Sequence, residues 1–310
     1  ITYFEILTAA YFYYAKNFES INLVEAGLFH RLDATNIIKG NLASIITAIG
    51  LDHLDWLPEN EKTIEKIIYE KTSSLLNSKI IITKQTNKET LDIIKKNISS
   101  NISKKIIFNE QFAYTESENE YIYYEDEIGK LKLPKPNLVG EFQIENVVTA
   151  IATLRNLKLK IKDEHIKSGI TRIKSIARLQ EIKKGKIKDL SKNNKIFVDG
   201  SHNPLGAKVL NKYLESLSCN KHIILGMMNN KDHNEYINYF KDIDSLTTID
   251  IPNQPNAIKG KELKKKLSKI SNIDYKESIQ DAIKSISVSN NDIILITGSL
   301  YLAGEILNLN

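Results

Sequence analysis

The chain has 310 residues, of which 42% are hydrophobic and 26% charged, and this length and composition predict a globular protein of two domains. Its net charge of +5 arises from 43 basic and 38 acidic residues, and nearly all the basic residues are lysines spread along the chain, which argues against a nucleic-acid partner. No apolar run approaches the roughly 18 residues that span a bilayer, which argues against a membrane partner. The single cysteine, Cys219, excludes a disulfide within the chain and predicts a reducing compartment, the cytoplasm.

The first half of the chain alternates between helical and strand patterns. Residues 2–15 are apolar all round at helical spacing, which predicts a buried helix packed on a sheet, with Thr2 as its N-cap. Further amphipathic patterns predict helices over 59–76, 89–99, 143–157 and 163–173. Apolar or alternating runs predict strands over 21–24, 43–49, 79–83 and 106–108, and a hairpin over 121–133 that turns at 128–130.

The alternation restarts after a change in composition near residues 174–178. Predicted strands cover 196–198, 222–225, 246–251 and 292–297. Predicted helices cover 205–217, 234–242, 260–270, 277–285 and 300–307. Since strands that alternate with helices form parallel sheets, we predict an α/β fold with domains over 1–175 and 176–310.

Polar residues follow the predicted strands of the first domain. Glu25 ends the strand over 21–24, and ligands bind beyond the carboxyl ends of strands in open α/β sheets, so Glu25 is a candidate metal or phosphate-site residue; an ordinary strand-end Glu paired with Lys is the alternative. Asp52 and His53 follow the next strand, and Lys71 lies in the helix after it. Glu and His together could hold a divalent ion such as Mg²⁺ or Mn²⁺, whereas a hydrogen-bonded loop residue is the alternative for His53.

The second domain carries Asp199, His202 and Asn203 at a strand-to-helix turn, with Pro204 at the first helical position. Ser299 follows another strand end, where the N–H groups of the next helix could meet an anion; a helix-cap network is the alternative for His202. A hydrolase triad is disfavoured because no Gly-x-Ser-x-Gly elbow occurs, and neither a Gly-x-x-x-x-Gly-Lys-Ser/Thr nor a Gly-x-Gly-x-x-Gly loop is present. The residues alone therefore predict a metal-assisted enzyme of anionic substrates.

Arginine is rare in this lysine-rich chain and marks places where a rigid planar donor fork is expected. It occurs at positions 31, 155, 172 and 178.

Seven motifs in one order resemble the folylpolyglutamate synthase/dihydrofolate synthase family of the Mur ligase superfamily. They are TYFE at 2–5, EAGLFHRLDATN at 25–36, GLDHLDWL at 50–57, EK at 70–71, DGSHNP at 199–204, NKD at 230–232 and TGSLYL at 297–302. The resemblance implies a Mur-ligase-like central domain that binds ATP, metal and pterin, followed by a smaller Rossmann-like α/β domain for glutamate ligation. It implies an ATP-dependent acid–amino-acid ligase in which a pterin carboxylate is phosphorylated and the amine of L-glutamate attacks the acyl phosphate. The implied substrates are dihydropteroate or folate, L-glutamate and ATP, and the implied state is a monomer.

The same resemblance assigns roles to single residues. It implies that Glu25 and His53 hold Mg²⁺ and that Lys71 is carbamylated as a further metal ligand, with a solvated helix lysine as the alternative for Lys71. Asn146, Arg178 and Asp199 are implied as ATP contacts, and His202 and Ser299 are expected to contact glutamate or the phosphoryl group. The implied pterin pocket comprises Thr2, Tyr3, Phe4, Glu5, Leu32, Asp33 and Ala34.

Some features depart from the family pattern. Phe29-His30 and Ile176-Ala177 stand where the family has Gly-Gly and Pro-Gly. The chain begins with Ile1, and the family's phosphate-binding loop precedes the TYFE motif, so we expect a chain truncated at its N-terminus that does not turn over ATP by itself. A non-catalytic ligand-binding remnant and another Mur-type ligase remain as alternatives, the latter disfavoured by the TYFE and LDA segments.

Overall fold

The computed structural model describes residues 1–38, 40–75, 79–98, 104–117, 121–157, 159–191, 194–267, 272–286 and 291–310. They divide into two compact units. The first unit comprises Ile1–Lys135 and Glu145–Ser168, and the second comprises Pro136–Ile144 and Gly169–Asn310. The predicted boundary at 175/176 thus lies seven residues beyond Ser168, and the short segment 136–144 belongs with the second unit although the chain reaches it earlier.

The first 171 residues form five helices and six strands among the described residues. They are α1 (Tyr3–Ala15), β1 (Ala43–Ile46), α2 (Ile64–Thr72), β2 (Lys79–Ile82), α3 (Lys88–Asn97), β3 (Lys104–Ile107), β4 (Phe112–Glu116), β5 (Tyr121–Asp126), β6 (Gly129–Pro134), α4 (Glu141–Asn156) and α5 (Asp163–Thr171). The strands form a parallel sheet in the order β1-β2-β3 and an antiparallel sheet in the order β4-β5-β6. The predicted hairpin is confirmed as β5 and β6.

Isoleucine fills the core of the first unit. Fully buried isoleucines from α2, β2 and α3 meet in one cluster, to which Ile46 of β1 and Leu57 also belong. Phe29 of the EAGLFHRLDATN motif and Leu54 and Leu57 of the GLDHLDWL motif contact this cluster, and the EK motif lies on α2. All three motifs are therefore attached to a packed core.

The first 24 residues differ from the prediction. Thr2 caps helix α1 with a complete capping box, as predicted, but most of the large apolar side chains of the helix are exposed, Tyr3 by 77%. Residues 21–24 are exposed and form no strand, so the predictions of a buried helix on a sheet and of a buried strand here are wrong. Spacing alone fixes a helix, whereas burial requires a surface to pack on, and a strand requires a paired neighbour.

The second unit contains one six-stranded sheet covered on both faces. Its elements are β7 (Gln180–Ile182), α6 (Lys186–Leu190), β8 (Lys195–Val198), α7 (Pro204–Glu215), β9 (Lys221–Leu225), α8 (His233–Asn238), β10 (Ser245–Ile249), α9 (Gly260–Lys266), β11 (Ile273–Lys276), α10 (Ile279–Ser285), β12 (Ile293–Thr297) and α11 (Leu300–Leu309). The strand order is β11-β10-β9-β12-β8-β7, parallel except where β7 pairs with β8. Strand β12 lies between β8 and β9, which makes this the topological switch point where ligands bind in such sheets.

Alternate residues of the central strands enter two separate hydrophobic clusters. Ile196 and Ile294 pack with α10 and α11, whereas Phe197 and Leu295 pack with α7, α8 and α9. A sheet buried on both faces is typical of doubly wound α/β folds, so the predicted α/β class with parallel sheets is confirmed.

The remaining differences are local. The prediction missed β4, β7, β11 and α6, which are short and carry charged residues. The ends of three predicted helices, at 76, 99 and 268–270, lie outside the described residues. No helix in the described ranges combines the length and apolar character that a membrane crossing requires.

Candidate active site

The carboxyl ends of β8, β12 and β9 lie side by side in the second unit. The backbone N–H of Gly298 donates to Ser201 (3.0 Å), and that of Gly226 donates to Thr297 (3.2 Å). Gly298 has φ +108°, and a Cβ there would lie 2.6 Å from the Gly226 oxygen, so this approach requires glycine. The DGSHNP and TGSLYL motifs are therefore adjacent, as their positions at strand ends predict.

Asp199 is almost fully buried at 3% exposure, and its carboxylate holds two backbone segments together. Its Oδ2 accepts the Leu179 N–H and its Oδ1 accepts the Ser201 N–H, both at 2.7 Å. Burial raises the pKa of Asp199, and these two hydrogen bonds oppose that rise. Asp199 thus anchors the segment that carries Arg178 to the end of β8.

Arg178 is exposed, and its backbone lies between two residues in the left-handed region. Ala177 has φ 54° and Leu179 has φ 43°, conformations that non-glycine residues seldom adopt and that cluster at functional sites. Both are buried, and the Ala177 carbonyl accepts the Gly200 N–H at 2.9 Å. Sequence reasoning missed this arrangement, because nothing in Ala177 or Leu179 indicates a positive φ.

The other predicted residues of the second unit lie at helix starts. His202 Nδ1 is 3.0 Å from the Gly200 carbonyl; since a carbonyl only accepts, Nδ1 is the donor in this contact. Ser299 is buried and caps α11 by accepting the Tyr301 N–H at 3.1 Å. The buried Tyr236 hydroxyl lies 2.8 Å from Thr297 Oγ1 and donates to the Ser201 carbonyl at 3.2 Å, which links both loops.

Asp33 organises the loop of the first unit. Its Oδ2 accepts the N–H groups of Gly27 (2.9 Å) and Leu28 (3.4 Å), and its Oδ1 accepts the N–H and hydroxyl of Thr35. A Cβ on Gly27 would lie 2.7 Å from the Phe4 ring, so the TYFE turn also packs against this loop. The structure therefore brings the predicted pterin segments 2–5 and 32–34 together around Gly27.

An ion pair between Arg31 and Glu70 fixes the same loop from the other side. Arg31 donates through Nε and Nη2 to the two oxygens of Glu70, at 2.7 and 3.0 Å, and the Glu70 carbonyl accepts the N–H groups of His30 and Arg31. The Glu70 side chain is only 7% exposed, and the Arg31 hydrogen bonds lower its pKa. The rarity of arginine was the only sequence signal for this pair.

Lys71 and His53 both lie near Phe29. Lys71 Nζ donates to the Leu28 carbonyl at 3.1 Å and lies 5.6 Å from the centre of the Phe29 ring, which is 6.2 Å from the His53 ring. Burial lowers the pKa of Lys71, and the charge of Asp52 opposes this. The sequence departure at Phe29 thus places an aromatic ring close to two predicted metal ligands.

Two predicted residues do not join these groups. Glu25 is exposed on an irregular segment, so its predicted place at a strand end is wrong. Asn146 is exposed on α4. Within the described ranges, no three or more His, Cys, Asp and Glu side chains cluster where they could hold a metal ion.

Comparison with known proteins shows which proteins this fold and these motifs resemble. The model of the Mur ligase glutamate ligase domain matches residues 178–300. The Bacillus subtilis dihydrofolate synthase/folylpolyglutamate synthase is 29% identical over 98% of this chain and 71% of its own length. The Escherichia coli protein of the same name is 24% identical over 100% of this chain and 69% of its own length.

Solved structures share the fold over the whole chain. The Mycobacterium tuberculosis folylpolyglutamate synthase complexed with ADP and AMPPCP has a TM-score of 0.81 at 22% identity, covering 100% of this chain and 73% of that one. The Yersinia pestis bifunctional synthase complexed with AMPPNP and Mn gives 0.81 at 21% identity, over 99% and 71%.

The doubly wound second unit carries the match to the glutamate ligase domain of Mur ligases. Over its full length, the chain is similar to members of the folylpolyglutamate synthase/dihydrofolate synthase family. The resemblance seen in the motifs is confirmed.

Proposed function

We propose that this protein is an ATP-dependent ligase that adds L-glutamate to dihydropteroate, to folates, or to both. The observation that carries this proposal is the similarity over 98% of the chain to a dihydrofolate synthase/folylpolyglutamate synthase, which includes the motifs of both units. The Mur ligase fold alone would fit other amide ligases, but the pterin segments around Gly27 favour a pterin substrate.

In the proposed reaction, a carboxylate oxygen of the pterin substrate attacks the γ-phosphorus of ATP and ADP leaves. The amine of glutamate then attacks the acyl carbon, the P-bearing oxygen leaves as phosphate, and the amine proton passes to a base. Phosphoryl transfer depends mainly on positioning and on positive charge near the transferred group. Arg178 supplies a guanidinium on a backbone fixed by Asp199, and we assign it, with Asp199 and Asn146, to ATP.

We assign Mg²⁺ or Mn²⁺ to Glu25, His53 and Lys71, of which His53 and Lys71 both lie near the Phe29 ring. Mg²⁺ in phosphate sites needs only one or two protein carboxylates because substrate phosphates complete its shell, and Glu25 would be one of these carboxylates. The ion would neutralise charge on the phosphates of ATP.

Carbamylation of Lys71 is part of this assignment. A neutral lysine amine adds to CO2 and releases one proton, which gives an anionic carbamate with two oxygen ligands. Burial lowers the pKa of Lys71, so a larger fraction of the amine is neutral than in a solvated lysine. This observation supports the proposal for Lys71 over a solvated helix lysine.

The remaining roles are assigned from the family resemblance. Thr2, Tyr3, Phe4, Glu5, Leu32, Asp33 and Ala34 form the pterin pocket, in which Asp33 also fixes the loop backbone. We assign His202 and Ser299, at the starts of α7 and α11, to contacts with glutamate or the phosphoryl group. We further propose that the protein acts as a monomer, in the cytoplasm, which the single cysteine favours.

The test measures ADP release by the protein expressed from its complete gene, with dihydropteroate, L-glutamate and ATP. We expect release that requires both the pterin and glutamate, with a product one glutamyl residue heavier. Release that ignores either substrate would contradict the ligase. Tight binding of dihydropteroate and ATP without turnover would favour the non-catalytic alternative.

A further inference from the structure

We propose that Trp56 forms an aromatic wall of the pterin site and stacks on the fused ring of the substrate. The inference rests on the proposed function, and it adds a residue outside the motif segments assigned to the pterin. Trp56 is the only tryptophan of the chain, and it is 69% exposed. A tryptophan so exposed in a concave site has apolar area available to a ligand.

Trp56 lines a pocket of about 320 Å³ in the first unit, together with Leu32 and Asp33 of the pterin segment. Pockets that bind small molecules begin at about 300 Å³ and are mostly apolar with a few placed polar groups. Leu28, Phe29, Leu57 and Pro58 supply apolar surface in this pocket. Its size and lining fit one fused heteroaromatic ring.

The backbone beneath Trp56 is already ordered. Residues Leu54–Trp56 form one turn of 3₁₀ helix, in which the Trp56 N–H donates to the His53 carbonyl and the Leu57 N–H donates to Leu54, both at 3.1 Å. Leu57 is buried in the isoleucine core, and Pro58 follows with its fixed φ. A ligand that stacks on Trp56 therefore loses little backbone entropy, which favours binding.

The polar wall of the pocket can recognise the edge of a pterin. Arg31 and Glu70 both line it, and their ion pair uses Nε and Nη2 of Arg31. Nη1 can therefore donate to a ring carbonyl. A pterin presents an amino group beside a carbonyl, so it offers both a donor and an acceptor to a guanidinium–carboxylate pair. The continuity of Trp56 with Leu32 and Asp33 favours the pterin over adenine as the occupant.

The experiment compares calorimetric titrations of the parent protein, Trp56→Ala and Trp56→Phe with dihydropteroate. Aromatic stacking on a nucleic-acid base contributes about 1–3 kcal/mol by alanine substitution, so we expect Trp56→Ala to raise the Kd for dihydropteroate about fivefold or more. Trp56→Phe should stay within about threefold of the parent. Tyr123→Ala is the matched control, because Tyr123 is an exposed aromatic residue on β5 outside this pocket, and its Kd should equal the parent value.

Two further readouts separate this assignment from others. Trp56→Phe has no tryptophan, so its fluorescence serves as the blank, and dihydropteroate should quench the emission of Trp56 in the parent protein. The Kd for ADP should be the same in Trp56→Ala as in the parent protein. In turnover, Trp56→Ala should raise KM for the pterin and leave kcat nearly constant, as expected for uniform binding.

The outcomes are distinct. A parent that binds dihydropteroate and a Trp56→Ala variant with a Kd within twofold of it overturn the Trp56 assignment and leave the ligase proposal intact. Weaker ADP binding with unchanged pterin binding overturns it in favour of a nucleotide pocket. A parent that binds no dihydropteroate and turns over none overturns the proposed function and the Trp56 assignment together.

Discussion

The two units hold their candidate site residues by different means. In the second unit, Asp199, His202 and Ser299 follow strands of a sheet buried on both faces, and backbone hydrogen bonds between neighbouring strand ends fix them. In the first unit, the loop over 25–36 follows no strand, and side chains fix it, chiefly Asp33 and the Arg31–Glu70 pair. Substitution of single side chains should therefore affect loop position in the first unit and local stability in the second.

The largest effect on stability is expected at Asp199. Asp199→Ala leaves the buried N–H groups of Leu179 and Ser201 without their charged acceptor, which costs about 4 kcal/mol, whereas Asp199→Asn retains one acceptor and should cost about half as much. Amide exchange and urea unfolding of the second unit measure this. Asp274→Asn removes an exposed carboxylate that pairs with Lys276 and serves as the control, with little change expected. An Asp199→Ala protein as stable as this control would contradict the anchoring role.

A buried ion pair away from the loop provides the corresponding test in the first unit. Arg155 donates to both oxygens of Asp126, which is 1% exposed, and Tyr124 donates to the same carboxylate. Arg155→Ala leaves that carboxylate without its cation and should cost about 3 kcal/mol. We expect faster amide exchange in β5 and β6 with no change in the Kd for dihydropteroate. A change in pterin affinity would show that the loop and the hairpin are not independent.

The strand ends of the second unit could be predicted from sequence. An apolar run followed by a polar residue and glycine, as at Asp199-Gly and Thr297-Gly, is typical of the carboxyl end of a parallel strand, where ligands bind. The Lys71–Phe29–His53 group could not, because it depends on how a loop folds over α2. The exposure of α1 and of residues 21–24 could not be predicted either, since an apolar sequence does not indicate which part of the protein, if any, packs against it. The two positive φ values beside Arg178 belong to residue types that give no signal.

Substitution of Lys71 should affect catalysis more than stability. If a carbamate on Lys71 serves the reaction, Lys71→Ala and Lys71→Arg should both lower turnover about a hundredfold, a loss typical of a removed electrostatic group. Lys71→Arg keeps the cation but cannot form the carbamate, so it distinguishes the two roles of the side chain. Lys95→Ala, at an exposed ion pair, is the control. Near-normal turnover of Lys71→Ala would end the carbamate proposal.

The smallest expected effect is the contribution of the Arg31–Glu70 ion pair to the free energy of unfolding at acid pH. Arg31 lowers the pKa of Glu70 below its ordinary 4.5, so the unfolded chain takes up this proton first as pH falls. The stability from the pair is thus fully present above about pH 4.5 and is lost as pH falls through the lower folded pKa. Glu70→Gln should reduce stability at pH 7 and show a shallower acid loss than the parent in unfolding curves from pH 7 to 3. If the free energy of unfolding falls equally steeply with pH in Glu70→Gln and in the parent protein, the proposed contribution of the ion pair is wrong.

The central claim is that glutamate joins a pterin carboxylate through an acyl phosphate. Its most direct test follows a heavy oxygen isotope placed in the carboxylate of dihydropteroate, with the protein from its complete gene, ATP and L-glutamate. The proposed reaction transfers one labelled oxygen to the released phosphate and keeps the other in the new amide, which mass spectrometry of both products detects. Labelled glutamyl product with unlabelled phosphate, or ADP release with no glutamyl product, would contradict the claim.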